Sequence, residues 1–159
     1  MSDIRLPLSL ALSKLRWQMA TAESCTGGLI AAHCTDLPGS SQWFDRGFVT
    51  YSNASKTDLL GVSPDLIKDQ GAVSEAVALA MALGVVDRSA ARASLAVTGI
   101  AGPDGGSADK PVGCVWFAWC LNGDLSAERL VLPGNRQQVR HAVCAHALQG
   151  LGVRLSKWA

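Results

Sequence analysis

The sequence predicts an α/β sandwich, a three-layer α/β/α arrangement in which helices cover both faces of a mixed sheet. Three observations carry that expectation. Segments with helical apolar spacing alternate with short apolar or β-branched runs in the order α-β-α-β-α-α-α-β-β-β-α. The runs at Gln18 to Ala22 and Ala93 to Thr98 are predominantly apolar, as strands buried on both faces are. An Asn122-Gly123 pair separates the last two strand candidates, the signature of a tight antiparallel hairpin.

Taken in order, Leu8, Leu12 and Leu15 recur at helical spacing and predict a first amphipathic helix. Gln18 to Ala22 reads as a short buried strand, followed by a helix over Gly27 to Cys34 that Leu37-Pro38-Gly39-Ser40-Ser41 breaks. Phe44 to Ser52 is aromatic and β-branched, hence a strand. Asn53 is placed to cap a helix running through Lys56 to Leu60, which Gly61 stops. Ser63-Pro64 starts a short helix, and Ser74-Glu75 starts a longer one with Val77, Ala80, Met81 and Val85 on its apolar face. Pro111 to Cys120 and Leu125 to Leu132 form the predicted hairpin. Pro133-Gly134-Asn135 caps a last helix with an apolar stripe at Val139, Val143, Ala147 and Leu151. Nothing divides residues 1–159, which are expected to form one domain.

Composition narrows the function classes. The chain carries a net charge of +1 with 17% charged residues, so no basic field argues for nucleic acid or an anionic membrane. No apolar run is long enough to cross a bilayer, and the leucine run near the N-terminus passes into Lys14 and Arg16 without a cleavage site. A cytoplasmic protein is expected. Five scattered cysteines without a Cys-x-x-Cys argue for reduced thiols, and His33, His141 and His146 offer no ligand pair at i, i+4. No metal and no cofactor are expected.

Chemistry concentrates in three clusters that follow strand ends. The first is Thr21-Ala22-Glu23-Ser24-Cys25-Thr26-Gly27-Gly28, where a strand turns into a helix. A helix start offers unpaired N–H groups and a positive dipole end, suited to a developing oxyanion beside a serine nucleophile. The plainer alternative is that Ser24 or Thr26 only caps the helix. The second cluster is Tyr51-Ser52-Asn53, with Lys56 one turn further on. A partly buried lysine there loses affinity for its proton and becomes a base for Ser24, with Tyr51 relaying the proton or orienting the amine. Its plain alternative is a surface lysine. The third cluster runs from Thr98 through Gly99, Ile100, Ala101 and Gly102 to Gly106. It lacks the Gly-Lys-Ser/Thr of a phosphate loop and reads as a lining for a flat ring or ribose, or as a simple turn. Arg136 opens the last helix, facing the dipole unfavourably; an anion bound there would supply a reason, and the plain alternative is a solvated side chain. Cys25 is the rival nucleophile, expected to turn into the core. In open α/β sheets ligands gather at the carboxyl ends of strands, so the three clusters are expected to meet on one rim.

Together these segments, with Gly47-Phe48-Val49-Thr50 before Tyr51 and Lys110-Pro111-Val112-Gly113 after the glycine-rich stretch, resemble the CinA C-terminal domain family over nearly the whole chain. Members of that family are nicotinamide-nucleotide amidases. The resemblance implies an α/β/α fold and hydrolysis of nicotinamide mononucleotide to nicotinic acid mononucleotide and ammonia. It implies Ser24 as nucleophile, Lys56 as base and Tyr51 as helper, with Ser41 also in the site. Thr26, Gly27 and Gly28, and Thr98 through Gly102, would contact the nucleotide, and Arg136 its phosphate. It further implies a homo-oligomer. Pyrophosphatase activity goes with a separate domain of longer members and is not expected here. The competing reading is a nucleotide-binding module that does no chemistry.

Overall fold

Five strands and six helices follow one another in the predicted order in the computed structural model, which describes residues 3–159. The strands are β1 (Met19–Glu23), β2 (Phe44–Val49), β3 (Ala93–Gly99), β4 (Cys114–Leu121) and β5 (Asp124–Val131). The helices are α1 (Arg5–Leu15), α2 (Leu29–Thr35), α3 (Asn53–Leu60), α4 (Pro64–Gln70), α5 (Glu75–Asp87) and α6 (Arg136–Leu155). A 3-10 turn, Ser40–Gln42, leads into β2.

The sheet order is β2-β1-β3-β4-β5, with β1, β2 and β3 parallel and the β4–β5 hairpin antiparallel. Because every residue of β1 is buried, the strand needs cover on both faces and has it. On one face Leu8 and Leu12 of α1, Ile30 of α2 and Val139, Val143 and Leu151 of α6 pack on Met19, Leu95, Val97, Phe117 and Trp119. On the other, Leu60 of α3, Ile67 of α4 and Val77, Met81 and Val85 of α5 pack on Ala20, Ala22, Ala96 and Ala118. The sheet is therefore lined by large side chains on the α6 side and by alanines on the α5 side, which lets α5 sit close. Each fully buried Leu, Phe or Met contributes roughly 1.5–3 kcal/mol. Trp119 also donates its indole N–H to the Ala147 carbonyl at 3.0 Å, tying α6 to the sheet.

Several boundaries differ from the sequence reading, each for a local reason. The helix expected from Gly27 begins at Leu29, because Gly27 and Gly28 adopt left-handed φ values of 59° and 103°. Helix α3 is capped by Ser52, whose hydroxyl accepts the Ser55 N–H at 3.1 Å, and Asn53 is its first residue. Strand β2 stops at Val49, after which Thr50 turns inward. The segment from Pro111 joins β4 only at Cys114. The cap of α6 is as expected, a reciprocal pair in which the Asn135 side chain accepts the Gln138 N–H and Gln138 accepts the Asn135 N–H.

The arrangement has one functional consequence. Parallel β1, β2 and β3 present their carboxyl ends, Glu23, Val49 and Gly99, on a single rim.

Candidate active site

The loop after β1 is clamped from several sides. Glu23 is fully buried, and its two carboxylate oxygens accept the Ile30 N–H at 2.8 Å and the Ala31 N–H at 3.0 Å. It thus satisfies orphan donors at the start of α2 and complements the positive end of its dipole. The five residues between, Ser24 to Gly28, must reverse direction in little space, and the left-handed glycines make that possible without side-chain strain. Ser24 donates its N–H to the Val97 carbonyl of β3 at 3.1 Å, and its own carbonyl accepts the Gly27 N–H at 3.0 Å. From α6, Arg140 donates to the carbonyls of Cys25 (3.1 Å) and Thr26 (2.9 Å).

Lys56 reaches this loop from across the β1–β2 boundary. Its side chain is only 1% exposed, and its Nζ lies 3.1 Å from Ser24 Oγ. The same nitrogen lies 2.9 Å from the Thr50 carbonyl and 3.5 Å from the Tyr51 carbonyl, so main-chain acceptors aim it. It takes part in no salt bridge among the described residues. Burial without a countercharge pushes the Lys56 pKa below its ordinary 10.5. Burial acts in the opposite sense on the neighbouring thiol, pushing Cys25 up to about 11. Cys25 therefore stays protonated near neutrality, a poor nucleophile despite its place beside Ser24.

A cavity of about 290 Å³ opens at this rim, lined by Ser24, Cys25, Tyr51 and Lys56 together with Thr98, Gly99, Ile100, Ala101, Gly102 and Arg136. The three sequence clusters thus converge. Thr98 fixes the far wall by donating its hydroxyl to the Ala72 carbonyl at 2.9 Å. Arg136 donates to the Gly102 carbonyl at 2.9 Å and to the Tyr51 hydroxyl at 3.1 Å, bridging the second and third clusters. The Tyr51 phenol thus meets Arg136, and its main-chain carbonyl meets Lys56.

Other expected residues lie elsewhere. Thr26, Gly27 and Gly28 build the loop but do not line the cavity, and Thr26 is fully buried. The Gly27 N–H is spent on Ser24, so it is not free for an oxyanion. Ser41 accepts from the Gln18 side chain at 3.2 Å, next to the first residue of β1 and at the opposite end of that strand from Ser24. Asn53 of the second cluster also lines the cavity, whereas Ala72 and Val73, which line it too, and Arg140 carry no conspicuous sign in the sequence clusters. Arg140 carried one signal, its place one helical turn after Arg136 and so on the same face of α6.

The sequence model described as the CinA C-terminal domain matches residues 2–155. The chain belongs to the CinA C-terminal domain family. Among relatives within reach of that family, a protein of Enterobacter agglomerans named nicotinamide-nucleotide amidohydrolase PncC is 49% identical over 148 residues, 92% of this chain and 90% of that protein. A Pseudomonas putida protein of the same name is 51% identical over 140 residues, 88% of each. The crystal structure of the Agrobacterium tumefaciens competence/damage inducible protein CihA superimposes with a TM-score of 0.90 at 43% identity, covering 98% of this chain and 97% of that one. The fold is therefore shared with the Agrobacterium tumefaciens protein, and most of the sequence length aligns with the two named relatives.

Proposed function

We infer that this protein is an amidohydrolase that converts nicotinamide mononucleotide and water to nicotinic acid mononucleotide and ammonia. The observation that carries the mechanism is the buried Lys56 amine 3.1 Å from the Ser24 hydroxyl. A neutral amine has two N–H groups and one lone pair. The Thr50 and Tyr51 carbonyls take the N–H groups, which leaves the lone pair to accept the Ser24 proton.

Ser24 Oγ attacks the carboxamide carbon as Lys56 takes its proton, giving a tetrahedral intermediate with a negatively charged oxygen. Collapse expels the nitrogen, which leaves as ammonia after Lys56 returns the proton. Water then adds to the acyl-enzyme with the same amine as base, releasing the carboxylate and restoring Ser24. Arg136 uses part of its guanidinium on Gly102 and Tyr51 and offers its remaining N–H groups to the nucleotide phosphate. Thr98 to Gly102 line the ribose side. No step calls for a metal or cofactor, and within one chain Ser41 lies beside Gln18, at the end of β1 away from Ser24. The reading is supported by relatives near 50% identity that bear the amidohydrolase name.

We assign the reaction to the cytoplasm, in keeping with five buried free thiols. No helix among the described residues is long and apolar enough to cross a membrane. Leu10 and Val153, 70% and 66% exposed, leave apolar surface open on α1 and α6, in keeping with a homo-oligomer. The test is ammonia release from nicotinamide mononucleotide by the purified protein, with Ser24→Ala beside it. Release that disappears in the variant is expected. Full activity in Ser24→Ala would refute the nucleophile, and a folded wild type that binds the nucleotide without releasing ammonia would make it a binding module.

A further inference from the structure

We propose that Arg140 is a positioning residue that holds the Cys25 N–H as an oxyanion donor. This rests on the reading of Ser24 as nucleophile. The loop Ser24 to Gly28 contains two left-handed glycines and is intrinsically pliable, yet an oxyanion site works only if its donors are fixed before charge develops. Arg140 supplies the fixing. Its guanidinium grips two consecutive carbonyls, Cys25 at 3.1 Å and Thr26 at 2.9 Å, and so sets the planes of the 25–26 and 26–27 peptides.

The constraint extends one peptide further. Holding the Thr26 carbonyl turns the Gly27 N–H, on the opposite edge of the same trans peptide, to the Ser24 carbonyl at 3.0 Å. That bond sets the 24–25 peptide, so the Cys25 N–H faces away from the Ser24 carbonyl. The Cys25 N–H makes no hydrogen bond to another residue among the described residues, belongs to a cavity-lining residue, and follows the reacting serine directly. One cation thus orders three successive peptides around Ser24. It stands one helical turn from Arg136, so the first two turns of α6 hold both walls of the cavity. Lysine, a point donor on a flexible stem, cannot grip both carbonyls in this fork geometry.

The experiment compares wild type, Arg140→Met and Arg140→Lys, each confirmed folded by thermal melting. The readouts are kcat and KM for ammonia release, and inhibition by the substrate analogue whose carboxamide is replaced by an aldehyde. Ser24 Oγ adds to the aldehyde carbon, its proton passes to Lys56, and the carbonyl oxygen becomes an oxyanion. Binding of nicotinamide mononucleotide is measured in the Ser24→Ala background. For Arg140→Met, kcat should fall roughly 10- to 100-fold with KM little changed, since loss of one oxyanion donor costs about 100-fold or more. Aldehyde inhibition should weaken by the same factor as kcat/KM, nucleotide binding should hold, and Arg140→Lys should recover part of the loss. A folded Arg140→Met with kcat within twofold of wild type would overturn the proposal. So would equal losses in aldehyde and nucleotide affinity, which would mark the arginine as a general prop. If the aldehyde fails to form an adduct with wild type, Ser24 is not the nucleophile and the underlying reading falls first.

Discussion

Replacing Lys56 by Met separates what the amine does for chemistry from what it costs the fold. Methionine fills a similar volume on an unbranched stem but has no proton to exchange. For turnover, removal of a positioned base costs roughly 100- to 10,000-fold. For stability, two effects oppose each other. The variant loses the hydrogen bond to the Thr50 carbonyl at 2.9 Å and the contact with Ser24 Oγ at 3.1 Å, worth about 1 kcal/mol each. It also escapes the penalty of a buried amine whose pKa burial holds below 10.5. That penalty is about 1.4 kcal/mol for each unit of depression, since the unfolded chain binds the proton more readily than the folded one. The sign follows from the proton count. Between the depressed folded pKa and 10.5 the unfolded state carries more protons, so wild-type stability rises with pH across that window. Below the window the full penalty applies, and above 10.5 it vanishes. Urea unfolding of both proteins at a series of pH values should show Lys56→Met gaining on wild type as pH falls. The wild-type kcat/KM should rise with pH to a plateau whose midpoint lies below 10.5. A stability difference that stays constant with pH, or an activity midpoint at 10.5 or above, would refute the depressed lysine and with it the base.

Two further outcomes follow from the same geometry. Cys25→Ala should retain ammonia release within a few-fold, and alkylating reagents should leave the wild type active near pH 7, because burial holds the thiol at about 11; an inactive but folded Cys25→Ala would restore Cys25 as the nucleophile. Gly150→Ala should destabilise, since its Cβ would lie 2.3 Å from Trp119 Cζ2 and 2.8 Å from Cε2, against a ring held by Ala147. Overpacking costs roughly 1–3 kcal/mol and outweighs about 1 kcal/mol of helix propensity, and an unchanged or raised Tm would show that α6 can shift off the sheet.

Much of this layout was legible in the sequence because periodicity and punctuation agree locally. Leu8 and Leu12, the β-branched run before Tyr51, and Asn122-Gly123 each point to one element, and each element is there. The strand order was not legible. Parallel pairing of β1 with both β2 and β3 joins residues far apart in sequence, and nothing in either segment encodes its partner. Adjacent polar residues defeated the finer reading, as with Ser52 and Asn53, where either could cap and only backbone geometry decides. Ser24, Lys56, Thr98 and Arg136 were recognisable because each sits where a strand or helix end makes its chemistry conspicuous. Arg140 was not, because its partners are carbonyls, which every residue possesses. Glu23 stands in the first cluster, and its carboxylate serves the main chain of α2, a choice between orienting the loop and acting as an acid that only the fold decides. Ser41 looked relevant by motif alone, and its position before β2 puts a strand's length between it and the rim.

The Ser24 N–H bond to Val97, and the Thr50 N–H bond to the Glu23 carbonyl at 2.8 Å, are rungs added beyond the ends of the β1–β3 and β1–β2 ladders. They suspend Ser24 between segments drawn from the whole span of residues 19–99. Closing such long loops is entropically slow, so these contacts form only when the parallel half of the sheet is assembled. The placing of Ser24 beside Lys56 is accordingly a property of the completed fold: no fragment ending before β3 can possess it, and a chain that has it has already made its hardest connections.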